Sequence, residues 1–201
     1  MRNVFWDPRK LMVAWLLALA LLPQASLAAK IGGVELPETV SVDGKALVLN
    51  GVGLRKATIL AVKVYAMGLY LEEKSRDAEA IMASDGSKRI VMHFVRDVGA
   101  DKLKNAWQEG FEKNYSNAAG IRDEIEAFKA SMSDVRKGES IVLDFIGNRV
   151  DVRYDDNLKT SVEGEAFQRG LLSVWLGPKP PNKSLKRGVL SIKRKKRTNR
   201  R

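Results

Sequence analysis

Cysteine is absent and histidine occurs once, at His93, in a chain of 201 residues. Without thiols there is no disulfide scaffold, no lipidated cysteine and no thiolate metal site. One histidine leaves no Cys-His pair, no His-rich metal cluster and little room for a Ser-His-Asp triad. His93 stands between Met92 and Phe94 in an apolar stretch, which reads as a structural, partly buried imidazole. Phosphate-binding signatures are missing too. No G-x-x-x-x-G-K-[ST] occurs, and Gly51-Val52-Gly53 lacks the third glycine and the following helix of a dinucleotide fingerprint. Nothing in the sequence calls for a cofactor or a metal.

The two ends differ from the body. Arg2, Arg9 and Lys10 precede an unbroken apolar run from Leu11 to Leu22, then Pro23 and the small residues of Gln24-Ala25-Ser26-Leu27-Ala28-Ala29. That order is a secretory signal peptide, with cleavage expected near Ala28 and a periplasmic or secreted destination. The run is well short of the ~20 apolar residues of a membrane-spanning helix. At the far end, Lys183 to Arg201 carries ten positive charges and no acid. Once these and the net two charges of the first 28 residues are removed from the total of +11, residues 29–182 are left at −1. The basic character belongs to the tail, expected to be solvated and disordered over 191–201, with weak attraction to anionic membrane surfaces as its sharper role. Export argues against a nucleic-acid partner. No sequence feature sets the oligomeric state.

The remaining body, 29–190, has the size of one domain with a real core. Strands are predicted over Val34–Val42 and Ala46–Leu49 around an Asp43-Gly44-Lys45 turn, and over Lys88–Val95. Ile141–Ile146 and Arg149–Tyr154 flank Gly147-Asn148 as a second hairpin. From Ile59 to Leu71 both alternate faces are mostly apolar, as in a central strand covered on both sides. Helical stripes run through Leu103, Trp107 and Phe111, with Asp101 as the expected cap, through Ile121, Ile125, Phe128 and Met132, and through Phe167, Leu171 and Trp175 up to Gly177-Pro178. Strands, helices, a hairpin and a last helix give an α+β fold with an antiparallel sheet. Asp144 and Asp151 face each other across the second hairpin and are expected on a solvent face. Trp107 and Trp175 are expected in the core.

Arg55 stands out, a permanent charge at the start of an apolar segment. The stretch N-G-V-G-L-R at 50–55, followed by K-V-Y-A-M-G-L-Y-L-E at 63–72, resembles the chalcone isomerase-like superfamily. The likeness continues through G-E-S-I-V-L-D-F at 138–145, E-A-F-Q-R-G-L-L-S-V-W-L-G at 165–177 and S-L-K-R-G-V-L at 184–190. It implies an open-faced β-sandwich, a large antiparallel sheet covered by a layer of helices. Of the residues that act in the isomerases, the resemblance carries over Arg55 and at best Ser173. The threonine position falls on Tyr65, residues 98–106 contain no tyrosine, and Asn105 is one place out of register. The pair Arg55/Tyr65 resembles the family's non-catalytic fatty-acid-binding branch instead. The implied function is binding of a small amphipathic acid at Arg55 and Tyr65. The alternative is an intramolecular lyase acting on a chalcone-like or other enone substrate.

Ten residues of straight strand span about 33 Å, so Arg55 and Tyr65 share one guest only if the chain turns between them. The turn is expected between Leu54 and Thr58. An ion pair with a nearby acid is the alternative role for Arg55.

Overall fold

The computed structural model describes residues 28–57 and 60–192. Residues 1–27, which hold nearly all of the expected signal peptide, the basic run from Lys193 and the pair Thr58-Ile59 lie outside the described residues. Among the described residues, nine strands and five α-helices follow in the order β1 (Ala28–Ile31), β2 (Val34–Pro37), β3 (Thr39–Val42), β4 (Lys45–Ala57), β5 (Val62–Leu71), α1 (Ala78–Ala83), β6 (Lys88–Phe94), α2 (Ala100–Asn114), α3 (Arg122–Ala130), β7 (Ser140–Ile146), β8 (Arg149–Tyr154), β9 (Asn157–Glu163), α4 (Glu165–Leu176) and α5 (Lys183–Val189). A 3-10 turn, Ala118–Ile121, leads into α3.

Strands β3 to β9 form one seven-stranded antiparallel sheet in sequence order, each strand paired with the next. The turn chemistry explains the register. Asp43 and Gly44 both adopt positive φ, 49° and 75°, as a two-residue hairpin requires, and Val42 then pairs with Lys45. Gly147, at φ 52°, does the same for Ile146 and Arg149. The predicted strand 34–42 is divided at Glu38. Its first half pairs with β1 in a separate two-stranded sheet and its second half joins the large sheet.

One face of the sheet carries the main core. Met67, Leu69, Ile90, Met92, Leu143, Val150 and Val152 are buried there against Trp107, Phe111, Phe128, Phe167, Leu171 and Trp175 from the helices. The aromatic rings interlock edge-on, with Trp107 and Trp175 centroids 5.3 Å apart and Trp107 and Phe128 5.0 Å apart. The stripes read from the sequence are the buried faces of α2, α3 and α4, and Met132 is buried just past the end of α3. Asp101 is in the first turn of α2 but does not cap it. The N-cap is Gly99, and the first amide, Ala100 N, donates to Asp134 Oδ1 at 2.8 Å. Part of the opposite face is covered by the β1–β2 hairpin, where Leu36 sits over Gly68 and Leu49, and holds a smaller cluster of Val42, Leu47, Leu49 and Tyr70. Strand β5 is thus covered on both sides, as its apolar alternation requires.

Two glycines of the 50–55 stretch acquire a role here. Helix α5 lies along β4, so close that a Cβ on Gly53 would stand 2.8 Å from the Leu185 carbonyl oxygen. A Cβ on Gly51 or on Gly188 would also collide with the facing backbone. Asn50, at an irregularity in the β4–β5 register, fastens the far end of this seam. Its Nδ2 donates to the Val189 carbonyl at 2.8 Å, and its Oδ1 accepts from Ser75 N at 2.8 Å.

Candidate ligand site

Strand β4 continues through Arg55 to Ala57, and Ala57 pairs with Val62, so the chain reverses between these two residues rather than between Leu54 and Thr58. No glycine is there. Ala61 takes the left-handed conformation instead, at φ 53°. The longer hairpin makes Arg55 and Tyr65 direct partners across the ladder, immediately before a register shift between Arg55 and Lys56. Directly opposite residues have their side chains on the same face, with Cβ atoms about 5 Å apart. The two are therefore brought together by register.

Both line a cavity of about 650 Å³ between the sheet and the helices α2 and α4. Its buried surfaces come from Met92, Phe94, Leu103, Trp107, Val174 and Trp175. Its charged lining consists of five cations (Arg55, Arg96, Lys102, Lys113 and Lys179) and two acids, Asp97 and Glu109. Lys113 is paired with Glu109, and the Asp97 carboxylate accepts from Lys137 N at 2.7 Å. Hence the cavity favours an anionic guest.

Arg55 makes no ion pair among the described residues. Its Nη1 donates to the Lys56 carbonyl and to Asn182 Oδ1, the latter at 3.2 Å. Asn182 Oδ1 also accepts from Lys56 N at 2.8 Å, so the residue before α5 holds the end of β4 and the guanidinium together. The Nε and Nη2 groups have no partner among the described residues, and the alternative of a neutralising acid is not realised there.

Tyr65 is held from the other side. Trp175 Nε1 donates to its hydroxyl oxygen at 3.0 Å, and Phe94 packs against its ring at a centroid distance of 5.4 Å. With the oxygen accepting from indole, the phenolic proton remains to be given to something else. Burial pushes the Tyr65 hydroxyl above its ordinary pKa, opposed by the Trp175 hydrogen bond and the Arg55 charge. It is thus a neutral donor at ordinary pH, next to a cationic one.

Ser173 does not join them. It is 4% exposed, its Oγ donates to the Gly170 carbonyl of its own helix at 2.6 Å, and it is not among the residues lining the cavity. Asn105 is exposed on α2 and also lies outside the lining. His93 is half-buried in β6, with Nδ1 3.0 Å from Ser140 Oγ.

Asp144 and Asp151 require a correction. They are cross-strand partners, but they are 2% and 5% exposed and are surrounded by arginines. Arg89 grips Asp144 through Nε at 2.5 Å and Nη2 at 2.7 Å, and Arg153 Nε is 3.4 Å away. Asp151 accepts from Arg149 Nε at 3.0 Å and Ser161 Oγ at 2.7 Å. Alternation along β7 and β8 placed these carboxylates away from the helix core. It could not foresee the arginines and the serine that neighbouring strands supply. The network lies on the sheet face opposite the cavity core, and its carboxylates are occupied.

With the geometry in hand, comparison with known proteins is direct. The profile of the chalcone isomerase-like family matches residues 28–191. The chain belongs to the chalcone isomerase-like family. No curated protein matches it by sequence. Among solved structures, it is similar to the fatty-acid binding protein of Arabidopsis thaliana, with a TM-score of 0.68 and 18% identity over 82% of this chain and 96% of that one. At this identity the likeness is one of fold: the open-faced, helix-covered antiparallel sheet of the chalcone isomerase-like family.

Proposed function

We propose that this chalcone isomerase-like domain binds a small amphipathic acid, a fatty acid in the leading case, and carries out no chemistry on it. One observation carries the reading. Arg55 and Tyr65 are ladder partners in an apolar cavity, and both retain uncommitted donors. A carboxylate leaving water for such a slot must be paired, because a buried lone charge costs several kcal/mol. Arginine supplies a forked, charge-assisted pair of hydrogen bonds, and the tyrosine hydroxyl adds a third donor. The aliphatic tail then gains about 0.8 kcal/mol for each methylene buried against Met92, Phe94, Trp107 and Trp175. The cavity volume lies within the roughly 300–1,000 Å³ of small-molecule sites. The fold shared with a fatty-acid binding protein supports the same reading. The intramolecular lyase alternative finds less support, because Ser173 turns its hydroxyl to its own helix. The signal-peptide pattern at the N-terminus supports a site outside the cytoplasm, periplasmic or secreted.

Titration with medium-chain fatty acids, together with native mass spectrometry of the purified protein, tests the assignment. Wild type should bind with one-to-one stoichiometry. Arg55→Ala should weaken binding by about tenfold or more, in line with one lost charge-assisted contact. Equal affinity in the two proteins would remove Arg55 as the anchor, and a chalcone cyclisation rate above buffer would restore the lyase.

A further inference from the structure

The hairpin that presents Arg55 ends in an arrangement that the binding of a small acid does not explain. Lys56 and Lys63 are direct partners across the β4–β5 ladder, and both are exposed. Like charges directly opposite each other destabilise a hairpin. Neither lysine forms an ion pair among the described residues, nor do Lys179 on the cavity rim and Lys183 at the start of α5. Lys183 follows Asn182, whose side chain holds Lys56 N, so three of these cations lie along one edge. At the tip of the same hairpin, Leu60 is 85% exposed, more than any other large hydrophobic residue described.

We propose that this edge, through Lys56, Lys63, Lys179 and Lys183, docks the domain on an anionic lipid bilayer, with Leu60 entering the acyl boundary. The combination selects the partner. A partner that is only acidic would satisfy the lysines and leave the bare leucine unrewarded. A bilayer rich in anionic headgroups satisfies both, with basic residues at the headgroup level and an apolar side chain below them. The docking surface is confined to one side of this end of the sheet. The β8–β9 turn, four strands away, presents Asp155 and Asp156, both exposed. Arg55, Ala57 and Val64 line the cavity beside the docking edge, so an amphipathic acid dissolved in the membrane would meet the cavity where it enters water. Only that last link rests on the proposed ligand.

The absence of cysteine allows a clean test on the full chain. An environment-sensitive fluorophore is attached at Leu60→Cys and, in a second protein, at Asn148→Cys, which is exposed in the β7–β8 turn at the opposite end of the sheet. Vesicles of phosphatidylglycerol and phosphatidylcholine should shift the label at position 60 to the blue and leave that at 148 unchanged. Vesicles of phosphatidylcholine alone should shift neither. In the unlabelled chain, Lys56→Gln/Lys63→Gln should lower the partition coefficient about thirtyfold at low salt, and less as salt screens the surface. If the chain sediments with anionic vesicles while both labels remain in water, or if the double substitution leaves partition unchanged, attraction resides in the basic C-terminal run and the proposal is overturned. The vesicles contain no free acid, so failure here would leave the Arg55-dependent titration standing, and failure of that titration would leave the docking result standing.

Discussion

Arg89→Met isolates the carboxylate that depends on it most. Asp144 is 2% exposed and receives two short bonds from Arg89, against one looser approach from Arg153 at 3.4 Å. Removing one partner of a buried pair costs about 3–5 kcal/mol, because the remaining charge keeps its desolvation penalty. Arg153 is 30% exposed and already near, so it recovers part of this, and a loss of about 3 kcal/mol is expected. For a domain of this size that amounts to roughly 6–12 °C in Tm. Methionine retains most of the aliphatic volume, so the loss reports charge rather than packing. Urea unfolding followed by circular dichroism measures it, with the slope checked for two-state behaviour. The double substitution Arg89→Met/Asp144→Leu should recover most of the loss, since a buried ion pair replaced by apolar residues is often neutral. Fatty-acid affinity should be untouched in both, because the network and the cavity core occupy opposite faces of the sheet. A loss below 1 kcal/mol in Arg89→Met, or no recovery in the double variant, would refute the view that Asp144 needs this arginine.

Gly53→Ala should destabilise by about 1–3 kcal/mol in urea, because the added methyl meets the Leu185 backbone at 2.8–3.0 Å and backbone cannot swing aside. Its acid affinity should fall as well, since Asn182 would shift away from Arg55. Tyr70→Phe should raise stability by about 1 kcal/mol, because the Tyr70 hydroxyl is fully buried without a hydrogen-bond partner among the described residues. The same residue predicts an alkaline effect. Burial pushes its pKa up to about 12, whereas an unfolded tyrosine ionises near 10. The unfolded state therefore loses its proton first, so stability is full below pH 10 and falls between pH 10 and about 12. The variant should show a shallower fall. N-terminal sequencing of the protein recovered from outside the cytoplasm should begin near Ala29, and an intact Met1 on that material would remove the signal peptide.

Much of the fold could be read from local chemistry. Asp43-Gly44 and Gly147-Asn148 form hairpins because their residues tolerate positive φ, and the apolar stripes of α2 and α4 are the faces that meet the sheet. What escaped were contacts between segments distant in sequence. The reversal between Ala57 and Val62 has no glycine to announce it, and Ala61 takes the left-handed conformation without a compositional signal. The burial of Asp144 depends on Arg89, 55 residues earlier. The site was half-visible for the same reason. Arg55 and Tyr65 are close enough in sequence for a hairpin to join them. Trp175, which holds the tyrosine, looked like a core residue and is one. Asn182 gave no signal at all. Ser173 has the right residue type on the right helix, but a serine inside a helix readily bonds the carbonyl three or four residues back, and this one does.

The seam between α5 and β4 sets the order in which the site is made. Asn182, which steadies Arg55, belongs to the segment leading into α5, and α5 is seated against Gly51 and Gly53 through Gly188 and Leu185. Strands β3 to β9 each pair with their sequence neighbours, so the sheet and the first wall of the cavity can form without any residue beyond Glu163. The arginine clamp cannot. It waits for a residue 127 positions downstream, and a chain stopped before Asn182 would keep all seven strands of the large sheet and lose the hold of Asn182 on Arg55. On the proposed function, acid binding should therefore depend on an intact C-terminal segment, seated by the close approach that Gly51 and Gly53 allow.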